Sequence, residues 1–430
     1  MTRRSTAAPP WNRTNAAHLL RRAGFSPAEV EIRAAVDAGL EATVERLVRG
    51  TEESPRHAEL DETGRVLATR DNIDALRGWW LLRLCHTQRP LRARMALFWH
   101  NHFATSNAKV RSAAMMLQQL RSFESLGLGG FERLLQAISR DPAMIIWLDG
   151  NQNVKGRPNE NYARELFELF SLGVGNYSEA DIKEAARAFT GWHTRGGSFH
   201  FSAREHDGGR KTVLGEAGAW TGDDVVSIAL RRPACSRFLA TKLLREFVCP
   251  NPPRELIDTL AATLVETGYD IAATLTRLFT SGDFFDPRWR RARIQSPVEF
   301  AVGVVRTLGI APAAAALADG VSQMGQRLFE PPSVKGWEGH RAWLNSATML
   351  VRLNAVTRAT ESTLFDAAAF RRQYDLDSRY RLIEFCEQLV LDGEVPHAVR
   401  IGYPPESDDL DATLRGVLRA LLSSPEYQMA

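Results

Sequence analysis

A capping residue followed at once by proline recurs along this chain, and that pairing marks where helices begin, because proline lacks only an N–H that the first turn leaves unbonded. Asp141-Pro142 opens an apolar stretch through Ile145, Ile146, Trp147 and Leu148. Ser26-Pro27 with Glu29 reads as an N-cap, a first-turn proline and a capping-box glutamate. Ser178 with Asp181 starts a helix carrying Ile182, Ala185, Ala186 and Phe189. Between such signals, apolar residues return at helical spacing. Val30, Ala34, Val44, Leu47 and Val48 suit two short helices broken near Gly39. Asp71 is expected to open a helix with Leu76, Trp79, Trp80, Leu82 and Leu84, and 92–103 another with Met95, Leu97, Phe98 and Trp99. Further helices are expected at 224–231, 234–248, 254–267, 270–280, 297–309, 343–360, 378–392 and 408–423.

The pattern predicts a mainly α protein, a multi-helix globular bundle with a small β-hairpin and loop insertion near 193–220. That stretch is rich in Gly, His and Asp, with β-like pieces at 198–201 and 211–214. A second non-helical stretch, 330–337, cannot be helical through Pro331-Pro332. No internal repeat or low-complexity linker is present. The chain reads as a single α-helical domain over 1–430, with 1–192 and 221–430 as its subdivision if one exists.

A formal net charge of +3 excludes a strong field directed at nucleic acid or an anionic membrane. Only Lys109, Lys155, Lys183, Lys211, Lys242 and Lys335 are lysines; every other basic residue is arginine, with acids interspersed. Cys85, Cys235, Cys249 and Cys386 form no CxxC pair and sit among apolar residues, which predicts buried free thiols and fits a reducing compartment. Residues 1–15 lack an apolar core for a signal peptide, and no run reaches the length of a membrane helix. A cytoplasmic location is expected unless the start has been trimmed.

Four constellations carry chemistry. In Phe98-Trp99-His100-Asn101-His102-Phe103, the two imidazoles lie about 200° apart on a continuing helix, so they converge on one ligand only if the helix ends there. The plain alternative for His102 is a core histidine near a helix terminus. The second runs from Asp149-Gly150-Asn151-Gln152-Asn153 into the segment Asn159 to Phe170. On a helical wheel, Glu160, Asn161, Arg164, Glu165 and Glu168 share one arc, and Tyr162, Leu166, Phe167, Leu169 and Phe170 the other. Ordinary i,i+4 pairs on a solvated face account for this arc. Yet it is rich in carboxylates without lysines and begins in a cluster of Asn and Asp, so acid–base or divalent-metal chemistry is the competing reading.

The third constellation concentrates His193, His200 and His206 with Trp192, Asp207 and Lys211 in one loop, a place where binding residues are often carried. There His206-Asp207 would orient a base and Lys211 would be its charge partner; helix capping by these histidines is the alternative. The fourth is Pro331-Pro332-Ser333-Val334-Lys335-Gly336-Trp337, a rigid turn presenting Lys335 and Trp337 to a pocket, unless the indole is simply core. There is no GxGxxG after a strand, no GxxxxGK[ST], no HExxH, no GxSxG and no zinc-finger spacing, so a nucleotide cofactor is not indicated.

Several segments in order carry a resemblance: His18-Leu19-Leu20-Arg21-Arg22-Ala23-Gly24-Phe25, 98–106, 141–149, 158–173, Ala188-Phe189-Thr190-Gly191-Trp192, His206-Asp207 through Lys211, and Gln326-Arg327-Leu328-Phe329 through Trp337. They resemble the bacterial family called domain of unknown function 1800, over nearly the whole chain. The resemblance implies no activity. It implies a sulfatase-like partner and export signals, and on the second this sequence departs.

The expectation is an enzyme with a shared polar cavity, hydrolysing a hydroxyl-rich, saccharide-like substrate, with a divalent metal left open and its ligands unassigned. Glu160, Glu165, His102, His206 and Asp207 are the candidate catalytic groups. Asp149, Asn151, Asn161, Arg164, Trp192, Lys211, Lys335 and Trp337 are the candidate substrate contacts. The alternative is a non-catalytic scaffold that binds a neighbouring enzyme through Trp337, Trp343 and the proline loop.

Overall fold

The structure, a computed structural model, describes residues 10–430. It is 62% helical, with 23 α-helices and two small antiparallel hairpins among those residues, so the mainly α expectation holds. The hairpins pair Trp192–Arg195 with Ser198–Phe201 and Lys211–Val213 with Glu216–Gly218, inside the expected insertion.

Three helices bury most of their residues in the core. In Pro90–His102 the residues Leu91, Met95, Ala96, Leu97, Phe98 and Trp99 are all buried, and Ile73–His86 and Pro297–Leu308 are covered in the same way. Amphipathic helices such as Phe131–Ser139 and Ile271–Phe279 bury single apolar stripes, the first of them against Trp99 through Phe131. One cluster of buried apolar side chains extends from Ala16 to Tyr427 and includes Val213 and Leu214 of the insertion. At its heart Trp99 stacks on Phe103 and Phe131 at 5.6 Å, and Phe103 lies near Phe123 and Phe170.

Charged groups also enter this core. Arg22 is fully buried, and its guanidinium donates to the carbonyls of Phe247, Val248, Trp289 and Ala430. Burial lowers its pKa to about 9, and Arg293 nearby adds to the effect. All four cysteines are free and buried, as expected. Among the described residues no helix is long and apolar enough to cross a membrane.

Local signals were partly displaced. Asp141 caps Pro142–Trp147 by accepting from Met144 N, and Ser178 with Asp181 forms the capping box of Glu179–Ala188. Gly39, at φ +87°, separates Glu29–Ala38 from Leu40–Arg49. By contrast, Ser26 does not cap: the helix starts at Glu29, and Glu31 accepts from Ala28 N. Asp71 turns left-handed, its carboxylate accepts from Ala113 N, and Asn72 caps Ile73–His86 instead.

Candidate functional site

The helix Pro90–His102 does end at its second histidine, but the two imidazoles part company. His100 accepts from Phe329 N at 3.0 Å and lies among the rings of Trp80, Phe329 and Trp337. His102 faces the opposite way, with Nε2 3.1 Å from Phe170 O and its ring against Phe98, Trp99, Phe103 and Phe238. Burial lowers both to a pKa of about 3. Each is a neutral core side chain near pH 7. His102, at 5% exposure, is therefore not placed to transfer a proton to a substrate.

Asn101, between them, holds the proline loop. Its Oδ1 accepts from Trp337 N at 2.8 Å, and Gly336, at φ +78°, presses so close that a Cβ there would lie 2.2 Å from that oxygen. The loop is thereby docked on the end of the helix with Trp337 buried against His100 and Lys335 exposed. Trp337 and Trp343 are each only 7% exposed, so neither indole offers a stacking platform or an interface.

The acidic helix is short. Asn161–Glu165 passes directly into a π-helical turn, Leu166–Ser171, the wider coil often met at functional positions. Arg164 pairs with Glu160 at 3.2 Å and forks onto Glu179 at 2.8 and 2.7 Å. Glu160 is thus one arm of a solvated ion-pair network, the ordinary role for this spacing. Asn161 bonds Asp149 (3.3 Å) rather than Glu165, and Asp149, left-handed at φ +58°, also pairs with Lys109 at 2.8 Å. Glu168 accepts from Tyr177 Oη at 3.1 Å.

Glu165 differs from its neighbours. It is half-buried and has no hydrogen bond or ion pair among the described residues. Burial raises its pKa, the charge of Glu168 raises it further, and Lys335 across the loop opposes them. Lys335 feels that carboxylate without reaching ion-pair contact, and its ammonium has no other partner among the described residues. An acid and a cation from segments 170 positions apart thus face each other across a gap.

The insertion is built otherwise. Asn153 is buried and joins it to the 149–161 stretch, donating to Ala186 O while its carbonyl accepts from Gly191 N. Asn151 likewise bonds Thr194, accepting from its amide at 2.8 Å. But His206 turns to Thr190 O at 2.9 Å, and Asp207 is held by Arg187 at 2.7 Å, which lowers its pKa to about 2. Lys211 is 1% exposed, its ammonium spent on the carbonyls of Asp207 and Gly209. Trp192 is buried between Phe189 and Phe199, with Arg140 over its ring. These groups lock a fold. They are not turned toward Glu165.

The structure thus brings together parts of the first, second and fourth constellations and leaves the imidazoles out. Among the described residues no group of three or more His, Cys, Asp or Glu is placed to hold a metal ion. Lys109 and Tyr177 join the face although the sequence pattern gave them no role, and Glu168 joins it from the polar arc. For Lys109, the scarcity of lysine in so arginine-rich a chain was the one available signal.

Fold and face together are those of a mainly helical protein with an unpaired acid and ammonium, among the described residues, where a broken helix meets a docked loop. The chain matches, over residues 18–429, the family described as protein of unknown function (DUF1800), and it belongs to that family. No curated protein and no solved structure matches the chain.

Proposed function

We propose that the face formed by Asp149, Asn161, Glu165, Lys109 and Lys335 binds a small hydroxyl-rich substrate, saccharide-like, and hydrolyses it. Glu165 is the general acid. A raised pKa keeps a carboxyl protonated closer to neutral pH, where it can give its proton to a leaving oxygen as water adds to the other side of the breaking bond. Lys335 holds the electron-rich oxygen beside it, and Asp149, Asn161 and Lys109 supply hydroxyl contacts. The reading is carried by one observation: a half-buried carboxylate and a facing ammonium both lack a direct partner among the described residues, an arrangement that costs stability and suits a ligand better than a fold.

The test is Glu165→Gln. Without ligand the variant should be the more stable at pH 8, because it removes an unpartnered charge, and the advantage should shrink as the pH falls. For an acid whose pKa is raised on folding, stability is fully present below the unfolded value and is lost as the pH rises through the folded one. With an oligosaccharide panel, the wild type should show ligand-dependent stabilisation and hydrolysis, and the variant at least about 100-fold slower turnover, the usual contribution of a positioned acid. Equal rates in the two proteins defeat the assignment.

A second reading rests on a different surface. A cleft of about 370 Å³ lined by Phe300, Val304, Ile310, Leu317, Val351 and Leu364 is largely apolar and suits a partner protein, such as the sulfatase-like one the family resemblance implies. Val351→Glu should then abolish a stoichiometric complex with that partner and leave Glu165 chemistry intact; a complex that survives the substitution removes this reading.

A further inference from the structure

Away from Glu165, helices Pro55–Thr69, Ile73–His86, Pro90–His102 and Ala113–Leu126 enclose a cleft of roughly 450 Å³, within the range of small-molecule sites. No motif in the sequence marked it, since its residues come from four separate segments. Trp80, Leu84 and Ala93 supply its apolar wall.

His57 sits there at 5% exposure. Arg83 Nη2 lies 2.9 Å from its Nε2, and since a guanidinium only donates, that nitrogen accepts and the ring proton is on Nδ1. Nδ1 has no hydrogen-bond partner among the described residues; the carboxylate oxygen of Glu53 is 3.6 Å away and already receives Gln88 N. The cleft therefore holds a buried donor with no acceptor among the described residues.

Its charges are sorted in the same direction. Arg83 and Arg121 are both neutralised by Asp61 and Glu124, at 2.5–3.2 Å. Arg89 and Arg92 are not. Arg89 spends only Nε, on Thr51 O, and Arg92 makes no hydrogen bond or ion pair among the described residues. Three residues apart at one helix start, they share a face. Both line the cleft without an ion-pair partner among the described residues, and an oxyanion that reached the two would gain forked hydrogen bonds from each. Divalent cations fit poorly here, since Asp61 and Glu124 are occupied by arginines and Glu53 by Thr87 and Gln88.

We propose that this cleft binds a small organic anion through its carboxylate or phosphate group, with Arg89 and Arg92 as the clamp and the ring N–H of His57 as a third donor. It is distinct from the Glu165 face. Arg92 and Asn101 lie nine residues apart on the same helix, roughly 14 Å along its axis.

Binding is measured on the full chain by calorimetry and thermal shift, with citrate and pyrophosphate as probes against sodium chloride at matched ionic strength. At least one probe should stabilise the protein saturably. Citrate alone identifies a carboxylate ligand, pyrophosphate alone a phosphate ligand. Arg89→Gln/Arg92→Gln should weaken binding at least tenfold at little cost to the melting temperature of the free protein, because neither guanidinium is ion-paired and only one exposed bond, from Arg89 to Thr51 O, is lost. Glu165→Gln should bind as the wild type does. The inference is overturned if neither probe exceeds the salt control, if the double variant binds equally well, or if binding is lost with Glu165→Gln instead.

Discussion

Gly336→Ala tests whether the docking of the proline loop on Asn101 builds the face that carries Lys335. At φ +78° an L-residue costs roughly 1–2 kcal/mol relative to glycine. The added Cβ would also lie 2.2 Å from Asn101 Oδ1 and 2.5 Å from Asn101 O, and the second of these is backbone at a helix end that cannot swing aside. The loop must lift. Lifting breaks the 2.8 Å bond from Trp337 N to Asn101 Oδ1 and leaves a part-buried donor unpaired, which adds about 1–2 kcal/mol. The sum is on the order of 3 kcal/mol. Taking about 2.1 cal/mol/K of unfolding entropy per residue over 430 residues, this lowers the melting temperature by roughly 3 °C. Calorimetry measures that shift, and denaturant titration checks it at constant temperature. Because the loop carries Lys335, activity at Glu165 should fall as well. Asn101→Ala should cost less, as it removes the bond but creates no clash. A Gly336→Ala protein within about 0.5 kcal/mol of wild type would show that the loop is not pinned in this way.

Asp141→Ala should cost about 2 kcal/mol, from the lost cap on Met144 N together with the bond it takes from Gln119 at 2.7 Å. Asp141→Asn keeps the acceptor, and its comparison with wild type has a pH signature. Burial raises the pKa of Asp141 to about 7, so the wild type loses stability as the pH rises from about 4 to 7 while the asparagine variant does not. A flat difference between the two across that window refutes the assignment. The thiols of Cys85, Cys235 and Cys386 are buried and shifted to pKa values of about 12 or above, so a thiol reagent at pH 8 should label them only after denaturation. Rapid labelling of the native protein would place one of them at the surface.

What could be seen in the sequence followed from how local each signal is. Asp141-Pro142, Ser178 with Asp181, and Gly39 act within one turn, and they are found where reading the chain places them. Ser26 and Asp71 have the right chemistry for caps, yet each is bypassed. Ser26 Oγ lies close against Gly303, and Asp71 caps a different helix, the one beginning at Ala113. The helix at 160–171 was legible as amphipathic, but its α-to-π change was not, since no residue type specifies it. His102 shows the limit most clearly. Two imidazoles near polar residues look like a site, and only packing reveals that one points at Phe170 O. Glu165 was among the candidates, whereas its lack of a partner is a fact of three dimensions.

Arg22 has a consequence for how the chain reaches its native state. One of its bonds spans 408 residues, and the others reach carbonyls more than 220 positions away. While the protein is being synthesised, the first helices cannot close over that guanidinium, because burying it before its acceptors arrive strands a charge in an apolar medium. The N-terminal segment must wait, hydrated and loosely held, until distant segments exist. Long-range closure of this kind slows folding and leaves apolar surface open in the interval. Shortening the chain from its far end should therefore loosen its beginning.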